Sequence, residues 1–529
     1  MIEVSDVYHR LAAGVVRPLD YRVNVSFTKA RNPDIDWFTL DQSQLDGGDL
    51  LADDETKPIQ VWDAYDYQDI SDRLISLDIE RSVAFPYNVQ SAIADFTLSN
   101  YDGYLSALGA GGDSPLSQYI IPKRPCRLYL GFRSGGVAPQ FVGLTQNIPD
   151  YDGFKNEQAK FTALDFLSEI GDMKLTNMVM MRDARTDEVI SEILQQFGIE
   201  PQMFNLARGL NVIPFVYFES GKDAGNALRE LVQAENGAMW LDENGIIQFQ
   251  PRTEIIGQVP VMTFDANNIE QINPSRNLQI VNSIFISTEV RKVLELQSVF
   301  TDDNSNGYSA ASSDDNYRVS ANSAKEIWLN FEDPVWTANP LVLNGNANNS
   351  NFRVVNLNGH AVSSGVSIQG TLFATSYKLE ITNSNAYAVS ISYIDLWGQP
   401  AKMVGGQPLE YEAEESDSVA KYGQMRVEIT DNKCFGSLNN ARAYARDIIQ
   451  KYSEYNNTLS VVVKGDPSLQ LNDIVEIDYP KYSGDYLVVG TKHSLTDAKL
   501  ETTLTLRKTE IYTPFILNQS VLNGTDVLS

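Results

Sequence analysis

Two stretches decide how this chain is read. Residues 125–146, PCRLYLGFRSGGVAPQFVGLTQ, and residues 472–493, NDIVEIDYPKYSGDYLVVGTKH, align without a gap at an offset of 347, which sets Gly143 on Gly490. Each opens on an alternating strand, with Leu128 and Leu130 in one and Val475 and Ile477 in the other. Each turns through glycine, Gly135-Gly136 or Gly484, and returns along a strand that ends Phe141-Val142-Gly143 or Val488-Val489-Gly490. After a polar turn a third strand follows, FTAL at 161–164 and TLTL at 503–506. Alternation with period two between turn residues marks half-buried hairpins. The same β-unit near both ends of one chain predicts a duplicated barrel.

The rest of the composition sets the frame. A chain of 529 residues exceeds what one core can serve and divides into roughly three or four domains. A hydrophobic content of 43% places it among folded rather than disordered chains, and its many Tyr, Phe, Val, Ile, Ser and Asn residues favour strands and turns. The net charge of −28 argues against wrapping nucleic acid through its phosphates. It is compatible with solubility, and with DNA passing an acidic channel without sticking. Cys126 and Cys434 stand alone, without a CxxC or Cys/His cluster, and read as core fillers. The start, MIEVSDVYHR, has no basic n-region or apolar h-region, and no apolar run approaches the ~18 residues that span a bilayer. A protein made in a cytosol is expected.

Read along its length, the chain divides into six parts. Residues 1–16 form an amphipathic lead with Val7, Leu11, Ala12 and Val15 on one helical face. Residues 17–175 make a first β-barrel domain. It is interrupted by an acidic loop with Asp34, Asp36, Asp41, Asp46, Asp49, Asp53, Asp54 and Glu55 against Lys57 alone. Residues 176–252 switch to an α+β pattern. Thr186 is the expected N-cap of a helix with Val189, Ile190, Ile193, Leu194 and Phe197 on one stripe, and Gly198 its stop. A second helix over 223–235 ends at Asn236-Gly237, and Asp242-Glu243-Asn244-Gly245 turns a hairpin. Residues 253–320 and 400–510 supply a second barrel, with a helix capped by Ser437. Residues 321–399 are an inserted β-sandwich, and 511–529 a tail. The expected fold class is mainly β with α+β: two barrels, a small α+β domain and the inserted sandwich.

Chemistry is sparse. His9, His360 and His493 are scattered without metal-ligand spacing, and His493, aligned with Gln146, reads as a polar turn residue. There is no GxSxG elbow, P-loop or GxGxxG after a strand. Asp302-Asp303-Asn304-Ser305-Asn306-Gly307 matches half a calcium loop, but Ser313 stands where the bidentate Glu belongs, so it reads as a polar linker. Trp328, Trp336, Tyr377, Tyr393 and Trp397 suit a sugar-stacking platform, although alternating aromatics in strands more often form core. No catalytic, cofactor-binding or metal residue is assigned, and neither a cofactor nor an enzymatic activity is expected.

The order of modules resembles a family. A barrel unit, the AGNALRELVQAENGAMWLDENGIIQFQPR stretch and a returning barrel with GDYLVVGTKH at 484–493 are similar to the baseplate or tail-tip hub proteins of tailed bacteriophages. The resemblance covers 17–320 and 400–510; the insertion departs from it. It implies two tail-tube-like barrels per subunit and a homotrimer that adapts a six-fold tube to a three-fold tip and forms the channel for genome ejection. It also implies a virion tail location after assembly in the host cytoplasm. The partners implied are a distal tail protein or tube ring, a tape measure protein and tip fibre or spike proteins. DNA would contact the channel transiently, and the host envelope is a further candidate. Two other readings stay open. A tail-associated lysin would add a catalytic domain, for which little chain remains beyond the second barrel. A receptor- or carbohydrate-binding tip protein would act through 321–399.

Overall fold

The computed structural model describes residues 1–12, 14, 17–27, 65–83, 89–107, 114–149, 158–252, 259–275, 280–303, 317–344, 351–430, 432–454 and 458–508. The acidic loop, the C-terminal tail and most of the calcium-like segment lie outside these residues. The fold is mainly β with α+β, and its largest sheet has thirteen strands.

The first barrel begins with strand Leu19–Val25. Strand Gln68–Asp69 bends through the 3-10 turn Ser71–Arg73 into Leu74–Ser82, so the two act as one bent strand. Its start pairs with Leu19–Val25 and its length with Ile93–Ser99. The ladder continues through Gln158–Asp165, Gly136–Thr145 and Pro125–Phe132 back to Leu19–Val25, closing the ring. Alternating residues turn inward, among them Val23, Leu77, Phe96, Leu128, Phe141 and Phe161. Burying each such side chain contributes about 1.5–3 kcal/mol, offset by the entropy of ordering the chain.

The second barrel repeats this plan. Met262–Asp265 bends at a turn in which Asn268 Oδ1 accepts from the Asp265 amide (2.7 Å) and leads into Ile269–Ser275. The ladder runs Ile269–Ser275, Thr458–Lys464, Lys499–Lys508, Gly484–Thr496, Ile474–Asp478 and back to Met262–Asp265. Five strands recur in the same chain order and with the same neighbours; Leu19–Val25 is extra in the first barrel. The match extends to detail. A bulge follows Leu74 in the ladder to Ile93–Ser99, and another follows Ile269, 195 residues later, in the ladder to Thr458–Lys464.

The residue alignment needs correcting. The ladders pair Cys126 with Gly143 and Val475 with Tyr486. Gly143 therefore corresponds to Tyr486, not to Gly490. The connection from Leu128 to Phe141 is six residues longer than that from Ile477 to Gly484, which a gapless alignment cannot represent. In the third strand Phe161 corresponds to Leu504, both buried, one residue away from the expected match.

The interruption of the second barrel is also larger than the sequence suggested. It spans 276–457, between Ile269–Ser275 and Thr458–Lys464. Strands Ser283–Thr288, Leu409–Glu414 and Arg426–Ile429, expected in the barrel, form their own three-stranded sheet. With helix Leu438–Tyr452 they share one core with helices Phe166–Asp172, Thr186–Gln196 and Ala224–Glu235. Ile284, Ile286 and Tyr444 face that core, which is why these elements belong to the α+β unit. The sandwich likewise starts earlier than 321. Arg291–Val293 and Gln297–Asp303 pair with its long strand Val389–Met403, and its three-stranded sheet is Ser323–Asn330, Ser376–Asn383 and Val366–Leu372.

Local signals behave as the residues dictate, with two exceptions. Ser437 caps its helix by accepting from the Asn440 amide, and Asn236 ends Ala224–Glu235 at a positive φ of 51°. Arg185, not Thr186, is the N-cap of Thr186–Gln196, because the Glu188 carboxylate reaches back to the Arg185 amide (2.9 Å) while Thr186 donates to Glu235 (2.7 Å). In the lead helix Asp6–Ala12, Val7 is exposed. Tyr8 and Ala12, one turn apart, are the buried pair, and Tyr8 meets Phe132 edge-on at 5.0 Å.

Candidate assembly junction

The thirteen-residue strand Gly484–Thr496 belongs to both barrels. One edge pairs with Lys499–Lys508 from Tyr486 to Thr496. The other edge changes partner: 484–487 face 474–477 of the second barrel, and 490–496 face 76–82 of the first. The change occurs because the outgoing strand starts only at Ile474. Asn472, at a φ of 66°, donates to the Val488 carbonyl and turns the chain away. The exposed half-edge is then free for the first barrel. At the hairpin's end Leu495 and Leu500 sit in the first barrel's core.

A buried polar cluster fastens this junction. Arg81, on the first barrel's junction strand, pairs with Glu243 from the α+β hairpin, and both side chains are about 5% exposed or less. The second Glu243 oxygen accepts from Gln470 (2.6 Å) in the loop entering Ile474–Asp478. One carboxylate thus ties together three units of the fold. Truncating one member of such a buried pair strands the other charge without solvent and costs about 3–5 kcal/mol. His493 lies in the same layer, its Nδ1 2.8 Å from Thr502 Oγ1. It is a core residue rather than a turn residue. Burial, and secondly the Arg81 charge, lower its pKa to about 3, so it is neutral. Asp165 accepts from the Ala92 amide (2.7 Å) and caps Phe166–Asp172 through Leu167; burial pushes its carboxyl up to about 6.

A second latch joins the barrels beside the lead helix. The Met1 amine is 2.5 Å from Asp473, Ile2 donates to the Ser468 carbonyl (2.8 Å), and Gln140 donates to the Pro467 carbonyl (2.7 Å). The second barrel's own counterpart of the junction strand, Ile269–Ser275, ends the sheet. Among the described residues its ladder partner is Thr458–Lys464.

The residues with chemical potential are not brought together. His9, His360 and His493 sit on separate elements, and among the described residues no group of three His, Cys, Asp or Glu side chains could hold a metal ion. Cys126 and Cys434 are buried thiols, and burial pushes Cys126 up to about 12. The aromatic platform does not assemble. Tyr377 is core, Trp336 faces Arg182, Tyr393 faces Arg353, and the Trp397 ring nitrogen donates to Asp395. Trp328 alone of the five is open, 40% exposed and stacked on Phe373 at 5.6 Å. It lines a cleft with Tyr217, Glu219, Arg291, Asp333 and Lys433. Sequence reasoning missed Arg81 and Glu243. For Arg81 a charged residue at an inward strand position was the only signal; Glu243 lies in the hairpin turn, where a charged residue signals nothing.

No family model and no curated protein matches the chain. Among solved structures it is similar to the tail protein from Neisseria meningitidis MC58, at 10% identity and a TM-score of 0.46, over 84% of this chain and 94% of that one. It is also similar to the 43 kDa tail protein of prophage MuSo2 from Shewanella oneidensis (10% identity, TM-score 0.43, 84% and 96% covered). A third is the prophage tail protein gp18 from Listeria monocytogenes EGD-e (10% identity, TM-score 0.40, 85% and 94% covered).

Proposed function

We propose that this chain is the structural hub of a phage tail tip or baseplate. Three copies, with two barrels each, set six similar barrels in a ring and adapt a six-fold tube to a three-fold tip. The observation that carries this reading is the pair of barrels with one strand plan, joined edge to edge through a hairpin they share. Such duplication lets a three-fold assembly offer six near-equivalent contacts to a six-fold neighbour. The partners on this reading are a distal tail protein or tube ring on one side, a tape measure protein inside, and fibre or spike proteins at the tip. The net charge of −28 suits a channel whose carboxylates repel passing DNA. The deciding experiment is a reconstruction of the assembled particle. Six barrel densities around a three-fold axis with an acidic lumen are expected; a neutral or basic lumen overturns the channel, and any other barrel number overturns the hub.

One observation favours an added role in adsorption. The sandwich holds Trp328 open to solvent at the rim of a polar cleft, an arrangement suited to stacking on a sugar ring. Removing the insertion is then expected to abolish adsorption to the host while particles still assemble.

A further inference from the structure

We propose that the edge strand Leu409–Glu414 accepts an extended segment of another polypeptide as an added strand. That segment carries acidic side chains toward helix Leu438–Tyr452 and basic ones on its other face. The inference stands apart from the hub reading.

The strand ends its three-stranded sheet, and among the described residues Ser283–Thr288 is its one ladder partner. The Glu415 amide donates to the Asn282 carbonyl (2.9 Å), in the register that sets Glu414 opposite Ser283. Alternation then gives the backbone of Leu409, Tyr411 and Ala413 to the ladder. The amides and carbonyls of Glu410, Glu412 and Glu414 point outward in a row. Such an edge takes up an extended peptide through main-chain hydrogen bonds, and the flanking pockets select its side chains.

A groove of about 620 Å³ is lined jointly by this strand and by helix Leu438–Tyr452. Tyr411, Ala413 and Ile449 form its apolar part and pack against the α+β core. Arg442 and Arg446, one helical turn apart and both exposed, also line it. Arg442 lies over the Tyr411 ring at 5.7 Å, and neither guanidinium has an ion-pair partner among the described residues. Glu415 is the one anion of the lining, so the groove is net positive on a chain of net charge −28. Alternate residues of a strand are about 6.8 Å apart, and four residues of a helix rise about 6 Å. Two alternate carboxylates on the added strand therefore match the two guanidiniums. The strand's other face carries Glu410, Glu412 and Glu414, all exposed, and Glu412 meets Arg426 (2.6 Å). That face favours basic residues on an added strand and repels a second copy of itself.

The test uses the full-length chain and a capped synthetic peptide, KETEKETEK, in titration calorimetry at about 50 mM salt, where screening is weak. Binding is expected, and the peptide KQTQKQTQK should bind at least about tenfold more weakly. Arg442→Ala and Arg446→Ala should each weaken binding of the first peptide about tenfold. Glu412→Pro removes an outward amide and spares the ladder to Ser283–Thr288, so it should abolish binding. Glu412→Ala loses the same carboxylate but keeps the amide, and should bind within about threefold of wild type. Bound peptide should also slow hydrogen exchange at the amides of 410–414. No binding by the wild-type chain overturns the proposal, as does equal binding of the glutamine peptide or undiminished binding by folded Glu412→Pro. Should that variant fail to fold, exchange decides: unchanged rates at 410–414 overturn strand addition. Self-association of the wild-type chain that Glu412→Pro removes would assign the edge to a second copy and overturn the proposal as well.

Discussion

Replacing His493 with Gln tests whether the buried junction holds a neutral imidazole. The folded protein keeps this ring uncharged, because burial and then the facing Arg81 guanidinium lower its pKa to about 3. Unfolded, the ring titrates near its ordinary 6.5. The sign follows. The unfolded chain takes up a proton below that value and the folded chain does not, so stability is full above pH 6.5 and is lost as pH falls toward 3. At about pH 5.5 the loss from this group is about 1.4 kcal/mol, a factor of ten, and at about pH 7.5 it is close to nothing. Asp165 works in the opposite direction. Its carboxyl is raised to about 6, so it opposes folding more as pH rises, and it returns roughly 0.8 kcal/mol over the same two pH units. A wild-type pH profile is therefore shallow and does not isolate the histidine. The difference between wild type and His493→Gln does, because Asp165 is present in both. The assay is hydrogen exchange of peptides within 484–508, which reports local opening without assuming that all units unfold together. The ratio of wild-type to variant protection should fall about tenfold from about pH 7.5 to about pH 5.5. A ratio that stays constant would mean that the imidazole is charged or solvated in the fold, and the account of the junction would be refuted.

Other outcomes bear on the same architecture. Glu243→Ala should lower stability by about 3–5 kcal/mol by stranding Arg81, while Arg81→Met with Glu243→Leu should recover most of it in thermal unfolding; a single variant within about 1 kcal/mol of wild type would contradict the buried pair. Gly143→Ala places a Cβ 2.4 Å from the Leu164 carbonyl and 2.6 Å from the Phe141 ring, whereas at Gly490 the nearest atom is Thr505 Cβ at 3.1 Å. The first should cost about 1–3 kcal/mol and the second less, and equal losses of soluble yield would speak against their different places in the fold. Trp328→Ala should leave the melting temperature within about 2 °C and reduce binding of particles to host cells, because the ring is an exposed face rather than core. Sedimentation of the purified protein should give about three times 58.9 kDa at high concentration, and a dimer there would exclude the three-fold ring.

Period-two patterning explains why the barrels could be read from the sequence and their register could not. Alternation records which face a residue occupies, so any even slip leaves it unchanged. The gapless alignment is off by two residues in the outgoing strand, where Cys126 matches Val475, and by four in the return strand, where Gly143 matches Tyr486. Both errors are even, and both were invisible. The error in the third strand is a single residue, which exchanges Thr503 for Leu504 on the inner face; burial exposes it at once. The repeat in the first two strands was missed for a different reason. Residues 67–80 and 262–275 share a bend and a bulge, but Ile79 is replaced by Pro274 and the neighbouring strand is separated by 182 residues, beyond the α+β sheet and the sandwich. Helix caps and turns such as Ser437 and Asn236-Gly237 are local and were legible; the partition of 276–457 depends on which core Ile284 and Tyr444 enter, which no local pattern states. The junction is the extreme case. Arg81, Glu243 and Gln470 come from three units and meet only because Gly484–Thr496 outruns its first partner, so the site follows from a length mismatch between two adjacent strands. The same mismatch gives Gly484–Thr496 its second partner, strand Leu74–Ser82, and so joins the two barrels edge to edge through one strand.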